Sequence, residues 1–176
     1  MSDTYGLLAR FAGPAELVRA AQAVRDHGYR NVEGYSPYRV EGLADALGHS
    51  AAAVRWVVLA AGIAGGAGGL FMQYYTAVHA YPLNIAGRPL NSWPAFVPVT
   101  FELTILAAAL GAVLGMLLLN GLPMPYHPVF NVPAFVARSS TDFFLAVRAD
   151  DPRFEVAQVR ALLAELGAAE VHDVAP

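Results

Sequence analysis

The sequence has no cysteine and no lysine. Without thiolates the chain cannot form disulfide bonds, ligate an iron–sulfur cluster, use a cysteine nucleophile or attach haem c covalently, and the usual structural zinc sites are also excluded. All 11 basic residues are Arg, scattered rather than clustered, and the net charge is −3. Because a phosphate-binding protein is expected to be basic, nucleic acid is not an expected partner. We expect no metal or cofactor in this chain.

Charge is scarce as well, and it is unevenly distributed. Charged residues make up 14% of the chain, and only Arg88 and Glu102 are charged between Trp56 and Leu122. The residues on either side have the composition of ordinary soluble protein. Residues 1–11 are too polar for a cleavable signal peptide, so we expect none. A small domain with a few membrane spans fits a chain of 176 residues.

Two long apolar runs are predicted to be transmembrane helices. The first covers residues 56–78 and the second residues 96–119. At a rise of about 1.5 Å per residue, each is long enough to cross a hydrocarbon core of about 30 Å. Trp56, Tyr75 and Trp93 lie near the ends of these runs, and such rings favour the headgroup level. A buried helix of a soluble protein is the alternative for either run.

The arginines near the spans predict their orientation. Arg39 and Arg55 precede the first span and Arg138 follows the second, whereas the connecting loop, residues 79–95, holds only Arg88. Because basic residues accumulate on the cytoplasmic side, both termini are expected in the cytoplasm and the loop outside. The inverted hairpin is the alternative.

The two flanks of the hairpin resemble each other and predict one α+β domain. Residues 1–36 read as a βαβ half with its helix at Pro14–His27. Residues 141–176 read as a second half, with its helix at Pro152–Leu166 and Asp151 placed to cap it. Neither half can bury the apolar face of its helix alone. Together they predict a ferredoxin-like cytoplasmic sandwich, split by the transmembrane hairpin between its second and third strands.

Two segments connect these halves to the spans. In residues 37–55, one helical face carries Val40, Leu43, Ala44 and Leu47, which suggests a short helix at the membrane interface. Residues 120–140 contain PMPYHPVFNVPAF. Because proline disfavours a helix interior, this proline-rich segment is predicted to be extended.

Glu102 is the first candidate site residue. It lies toward the outer end of the second span, where an ionised carboxylate is costly. The functional interpretation is a proton relay, or an ion pair with another membrane subunit. The alternatives are a carboxylate that reaches the headgroups, one capped by Thr100 or Thr104, and one that pairs with Arg88.

A glycine-rich face is the second candidate feature. The predicted helix-packing residues are Gly62, Gly65, Gly66, Gly69, Gly111 and Gly115. Those of the first span form overlapping small-xxx-small pairs, which let helix backbones approach closely. Contact with another subunit and contact between the two spans are both open. A phosphate-binding loop is excluded because no lysine follows the glycines.

No residue pattern predicts an active site. His79 is expected at the outer end of the first span and His127 beyond the inner end of the second. They would lie a membrane thickness apart and could not ligate one haem iron. The sequence has no Ser–His–Asp arrangement, paired-carboxylate cleft or dinucleotide fingerprint. We predict no catalytic residue.

With these features assembled, the chain resembles the small two-helix membrane subunit, ActD type, of bacterial alternative complex III. The resemblance lies in LNIAGRPLNSWPAFVPVTFELTIL (residues 83–106), in LPMPYHPVFN (residues 122–131), in the glycine-rich first span and in the opening YGLLARF. It covers essentially the whole chain.

The resemblance implies a cofactor-free accessory subunit of a respiratory quinol:electron-acceptor oxidoreductase in the bacterial cytoplasmic membrane. Such a chain is not an enzyme by itself. The implied partners are polytopic quinol-oxidising subunits, multihaem cytochrome c and iron–sulfur subunits, and membrane lipid. Haem c and iron–sulfur clusters are expected in those partners.

Three hypotheses remain open at this point. The chain could be an accessory or stabilising subunit whose hairpin packs against a polytopic quinol-handling subunit. Alternatively, Glu102 could contribute to proton movement in the complex. The third hypothesis is a free-standing, membrane-tethered regulatory or ligand-binding domain.

Overall fold

A computed structural model describes residues 4–50 and 52–176, which form two compact units. One unit, called here the sheet domain, contains the described residues of 1–50 and 125–176. The other, called the hairpin, contains those of 51–124. In chain order the helices are α1 (Pro14–Asp26), α2 (Leu43–Ala46), α3 (Ala52–Tyr75), α4 (Trp93–Leu119), α5 (Pro133–Arg138) and α6 (Val156–Glu165).

Four antiparallel strands form the sheet. They are β1 (Gly6–Phe11), β2 (Val32–Tyr35), β3 (Phe143–Arg148) and β4 (Glu170–Val174), in the spatial order β2-β3-β1-β4. β1 pairs with β3 from Gly6–Arg148 to Phe11–Phe143, and its other edge pairs with β4. β2 pairs with β3 alone. Every ladder therefore joins a strand that precedes the hairpin to one that follows it.

Side chains alternate between the two faces of the sheet along each strand, and an apolar core covers each face. One face carries Leu7, Phe11 and Leu145, which pack with Leu17 of α1 and Leu163 of α6 into the larger apolar core. The opposite face carries a smaller core, made of Leu8, Val129, Val132, Phe135, Phe144, Ala146 and Val174. Strands β1 and β3 are consequently apolar at nearly every position.

The smaller core corrects the prediction of an extended segment at residues 120–140. Here Pro128–Asn131 is a 3-10 turn, and α5 follows it at once. Pro128 and Pro133 each begin their element, where a missing N–H group breaks no internal hydrogen bond. The prolines therefore start short helices, and these helices cover the second face of the sheet.

The short helix predicted within residues 37–55 is present as α2, and its apolar side chains pack into the sheet domain. α2 has four residues, and its Leu43 is buried in the larger core of the sheet domain. Leu47 is buried in the same core, while Ala44, predicted on the same face, is exposed. Leu43 and Leu47 therefore contribute to the core of the sheet domain.

The last helix begins later than predicted. α6 starts at Val156, and the residues after Asp151 form a turn. The Asp151 carboxylate accepts the backbone N–H groups of Arg30, Asn31 and Arg153 at 2.6, 2.9 and 2.9 Å. Asp151 therefore joins the turn after β3 to the turn after α1 and does not cap a helix.

The hairpin consists of α3 and α4, and the prediction of two long apolar helices is confirmed. α3 begins four residues before its predicted start and continues into a π-helical turn, Thr76–Ala80. In the most apolar 18 residues of the first helix, 11% is buried, and in those of the second helix 6% is buried. Such exposure is opposite to that of a core helix in a soluble protein and suits two membrane spans.

Candidate functional site

The glycines of α3 lie at its contact with α4. A Cβ atom built at Gly65 would lie 2.5 Å from the carbonyl oxygen of Leu103. One at Gly69 would lie 2.8 Å from Cδ1 of Leu103, and one at Gly66 would lie 2.6 Å from Oγ1 of Thr104. Because the two backbones are this close, only glycine fits at Gly65 without a shift of the helices.

The remaining predicted packing residues share the same contact. A Cβ at Gly111 would lie 2.6 Å from that of Ala61, and one at Gly115 would lie 2.9 Å from Cγ1 of Val57. Gly62 is less crowded, with Cβ of Ala108 at 3.5 Å. Gly68, on the exposed side of α3, has no atom within 4 Å of its built Cβ. The glycine face therefore serves contact between the two spans.

Gln73 adds a polar connection near the closed end of the hairpin. Its Nε2 lies 3.1 Å from the carbonyl oxygen of Gly69 and 3.0 Å from that of Phe96. It also lies 3.2 Å from Oγ1 of Thr100. An amide nitrogen with only two hydrogens thus reaches three acceptors on both helices, which joins α3 to the first turns of α4.

Glu102 has no partner within the described residues. Its side chain is exposed, and no hydrogen bond or ion pair connects it to any of them. The Thr104 hydroxyl donates instead to the carbonyl oxygen of Thr100 at 2.7 Å, so neither threonine caps the carboxylate. The proposed pair with Arg88 does not form either. Any partner of Glu102 must therefore lie outside this part of the chain.

The sheet domain contains a polar cluster centred on Glu33. The Tyr35 hydroxyl donates to Oε2 of Glu33 at 2.6 Å, and the Tyr5 hydroxyl lies 3.1 and 3.2 Å from its two oxygens. Arg148 donates to Oε1 at 3.4 Å, and Nε2 of His127 lies 3.8 Å from Oε2. Four side chains thus converge on one carboxylate beside the smaller core.

His127 connects this cluster to the segment that covers the sheet. Its Nδ1 accepts the backbone N–H of Val129 at 3.4 Å. In the neutral ring the proton is then on Nε2, which lies 3.3 Å from the Tyr5 hydroxyl oxygen. His127 therefore begins the 3-10 turn on one side and contacts the Glu33 cluster on the other.

The tyrosines of this cluster titrate late. Burial, followed by the charge of Glu33 and the hydrogen bond to it, raises the pKa of Tyr5 to about 12. Burial and the hydrogen bond to Glu33 also raise the pKa of Tyr35. Both hydroxyls therefore keep their protons over the physiological range and remain donors to Glu33.

A second charged cluster lies at the other side of the same sheet face. Arg10 pairs with Asp142 at 3.1 Å and with Glu170 at 2.7 Å. Arg138, the last residue of α5, lies 3.7 Å from Glu170, and His172 lies 3.1 Å from it. The Arg10 cluster and the Glu33 cluster therefore hold opposite ends of the segment that runs from His127 to Arg138.

Neither cluster, as far as the described residues show, has a set of side chains that could hold a metal ion. Within residues 4–50 and 52–176 no group of three or more His, Asp or Glu side chains could hold a metal ion. Each carboxylate of the two clusters already accepts hydrogen bonds from neighbouring side chains. These networks hold backbone segments of the sheet domain in place.

The comparison with known families gives a match over nearly the whole chain. A sequence model of the ActD subunit of alternative complex III matches residues 5–173. The chain belongs to the ActD subunit family. The resemblance that the sequence motifs indicated is thereby confirmed. No curated protein matches the chain.

The sequence of this ActD-family chain predicted the packing glycines and Glu102 of the hairpin, but it did not predict the Glu33 cluster. The glycines and Glu102 stand out in an apolar run, where any departure is conspicuous. Glu33 and Tyr35 carried one usable signal, because residues two apart on a strand share a face. Tyr5, His127 and Arg148 come from three distant segments, and only the folded sheet brings them together.

Proposed function

We propose that this chain is a cofactor-free accessory subunit of alternative complex III and is not an enzyme by itself. The proposal rests on the hairpin, in which α3 and α4 pack closely against each other while their other faces are exposed. Its glycines serve the contact between α3 and α4, while the outward faces remain apolar and exposed. Since the family is that of a subunit of a larger complex, other subunits and lipid are the natural cover for these faces.

We further infer that the sheet domain is ferredoxin-like and split by the hairpin, with both termini in the cytoplasm. The strand order β2-β3-β1-β4 and a helix after β1 and after β3 support the fold. The positions of the arginines support the orientation. In this arrangement the domain covers the cytoplasmic side of a polytopic quinol-handling subunit, and haem c and iron–sulfur clusters belong to other partners.

Purification from native membranes tests the proposed function. An affinity-tagged chain, extracted in mild detergent, is expected to bring down polytopic, multihaem cytochrome c and iron–sulfur subunits, with a c-type haem spectrum and quinol oxidation activity. An untagged strain is the control. A tagged chain that emerged alone would sink this proposal and favour the free-standing regulatory domain.

A proton-relay role for Glu102 is the second candidate function, favoured by its lack of any partner among the described residues. Replacement by Gln keeps the size and the hydrogen-bonding capacity but removes the exchangeable proton. If Glu102 moves protons, the Glu102→Gln complex assembles fully but loses proton release or quinol oxidation. Wild-type activity in a fully assembled variant complex would remove this role.

A further inference from the structure

Glu102 is the only acidic residue between Ala51 and Met124. At about 1.5 Å per residue it lies about 14 Å along α4 from Trp93, which marks the predicted headgroup level. Two methylene groups are too short for the carboxylate to return over that distance. Because no described residue pairs with it, an ionised carboxylate at this depth needs a partner from outside the described residues.

The direction of Glu102 is set by the contact between the two helices. The α4 side chains that meet the glycines of α3 include Leu103, Thr104 and Ala107. With about 3.6 residues per turn, Glu102 lies roughly half a turn from the centre of that set. Its stripe continues through Leu106, Ala109 and Val113, all of them exposed. These four residues are called the Glu102 face.

The Glu102 face combines an apolar surface with one carboxyl group that has no partner among the described residues. Leu106 is 54% and Val113 53% exposed, and the small Ala109 between them leaves room for a close approach. Lipid tails could cover the apolar side chains, but they offer the carboxylate neither a charge nor a hydrogen-bond donor. A protein helix can cover both parts of this surface.

We propose that the Glu102 face docks against a transmembrane helix of a partner subunit that presents a basic side chain at the depth of Glu102. This inference rests on the proposed accessory function and specifies which surface of the hairpin meets the partner. The complementary charge selects the partner helix and fixes its register along α4, because only one depth pairs the two charges.

Crosslinking in native membranes tests the docking face. Since the chain has no cysteine, Leu106→Cys creates a single attachment point for a photoactivatable crosslinker. The expected product joins residue 106 to a multi-span subunit of the complex, at a helix with Arg, Lys or His within one turn of the crosslink. Ile63→Cys, on α3 and 63% exposed, is the matched control and is expected to give a different product.

Substitution of Glu102 provides a second test of the docking proposal. Glu102→Arg places like charges together and is expected to reduce the haem that co-purifies with the tagged chain by about tenfold. Glu102→Gln is expected to reduce it less, and Phe101→Leu, a neighbour on another face, not at all. The amount of each variant in the membrane is measured first, so that failed insertion is recognised.

Three outcomes overturn the inference. They are crosslinking of residue 106 to lipid alone, a crosslinked helix without a basic residue at that depth, and wild-type haem retention by Glu102→Arg. In each case co-purification of haem-bearing partners with the unmodified chain would leave the accessory function intact. If the unmodified chain brings down no such partner, the accessory function itself fails.

Discussion

Asp151 illustrates at the residue scale how one buried carboxylate organises two distant turns. It is 4% exposed and accepts three backbone N–H groups, two of them from residues 30 and 31. Burial alone would raise the pKa of Asp151, but these three donors outweigh that effect and hold the pKa below its ordinary value. The ionised form is therefore the stabilising one.

Asp151→Ala is expected to lower the free energy of unfolding of the sheet domain by about 2–4 kcal/mol, because three buried N–H groups lose their acceptor. Asp150→Ala is the control. Asp150 is 52% exposed and pairs with Arg148, so its loss is expected to cost less than about 1 kcal/mol. Both tryptophans lie in the hairpin, so pulse proteolysis of the full chain is the suitable measurement. Equal effects of the two substitutions would contradict this assignment.

The lowered pKa of Asp151 also predicts how the stability of the sheet domain changes with pH. Its stabilising contribution is fully present above the unfolded pKa of about 3.9 and is lost as the pH falls through the lower folded value. The stability difference between wild type and Asp151→Asn is therefore expected to narrow progressively below about pH 4. A constant difference across that range would show that the charge of Asp151 is not what stabilises the turns.

The raised pKa of Tyr5 predicts that the stability of the sheet domain decreases as the pH rises above 10. With a folded pKa of about 12 against an ordinary value of 10.0, its contribution is complete below pH 10 and is lost between the two values. Glu33→Gln is expected to lower the pKa of Tyr5 while leaving it above 10.0, because burial is the largest cause. The tyrosinate absorbance of each protein, minus that of its Tyr5→Phe counterpart, measures this. An unchanged pKa would show that Glu33 has no part in the shift.

At the scale of elements, the hairpin offers a matched pair of glycines. Gly65→Ala would place a methyl group against the backbone of α4, and the overpacking is expected to cost about 1–3 kcal/mol. Gly68→Ala meets no atom within 4 Å and is expected to be neutral or to stabilise α3 by up to about 1 kcal/mol. Tryptophan emission during denaturation in mixed detergent micelles compares them. If Gly68→Ala lowered the stability of the hairpin as much as Gly65→Ala, close packing of α3 against α4 at Gly65 would be disproved.

The segment from His127 to Arg138 supplies a second element-scale test. Phe135 is 3% exposed, and its ring makes edge contacts with Tyr35 and Phe144. Phe135→Ala is expected to cost about 3–5 kcal/mol, whereas Phe130→Ala, at 58% exposure, is expected to cost less than about 1 kcal/mol. Pulse proteolysis measures both. A negligible effect of Phe135→Ala would mean that the segment does not complete the core.

These elements also show how far sequence alone could reach. The two spans and the strands were predictable because long apolar runs and alternating patterns are local signals. The short helix at Pro133 was not, since six residues carry little periodicity and its apolar side chains serve a core built from other segments. The helix at Leu43 was predicted, but its place in the larger core was not. The Glu33 cluster was hidden for the same reason, whereas Glu102 stood out as a lone charge in an apolar helix.

On the scale of the whole molecule, the sheet cannot form from either half of the chain. β1 pairs with β3 and β4, and β2 pairs with β3, so among the described residues no ladder lies wholly before the hairpin or wholly after it. A chain synthesised from its N-terminus would therefore complete its first ladder only after both spans have been made. Folding of the sheet domain therefore awaits synthesis of β3 and β4, although the sheet domain and the hairpin are separate compact units.

This pairing predicts the behaviour of a chain without its hairpin. Replacing residues 51–124 by a flexible Gly/Ser linker of about 12 residues keeps every ladder and both cores of the sheet domain, so a soluble monomer with one cooperative urea transition is expected. Residues 1–50 alone retain two strands with no partner and are expected to be unfolded by circular dichroism. Mixing the separate halves should restore β-structure only when both are present. Folding of residues 1–50 alone would refute the split domain, as would failure of the linked protein to fold, because all three ladders require both segments.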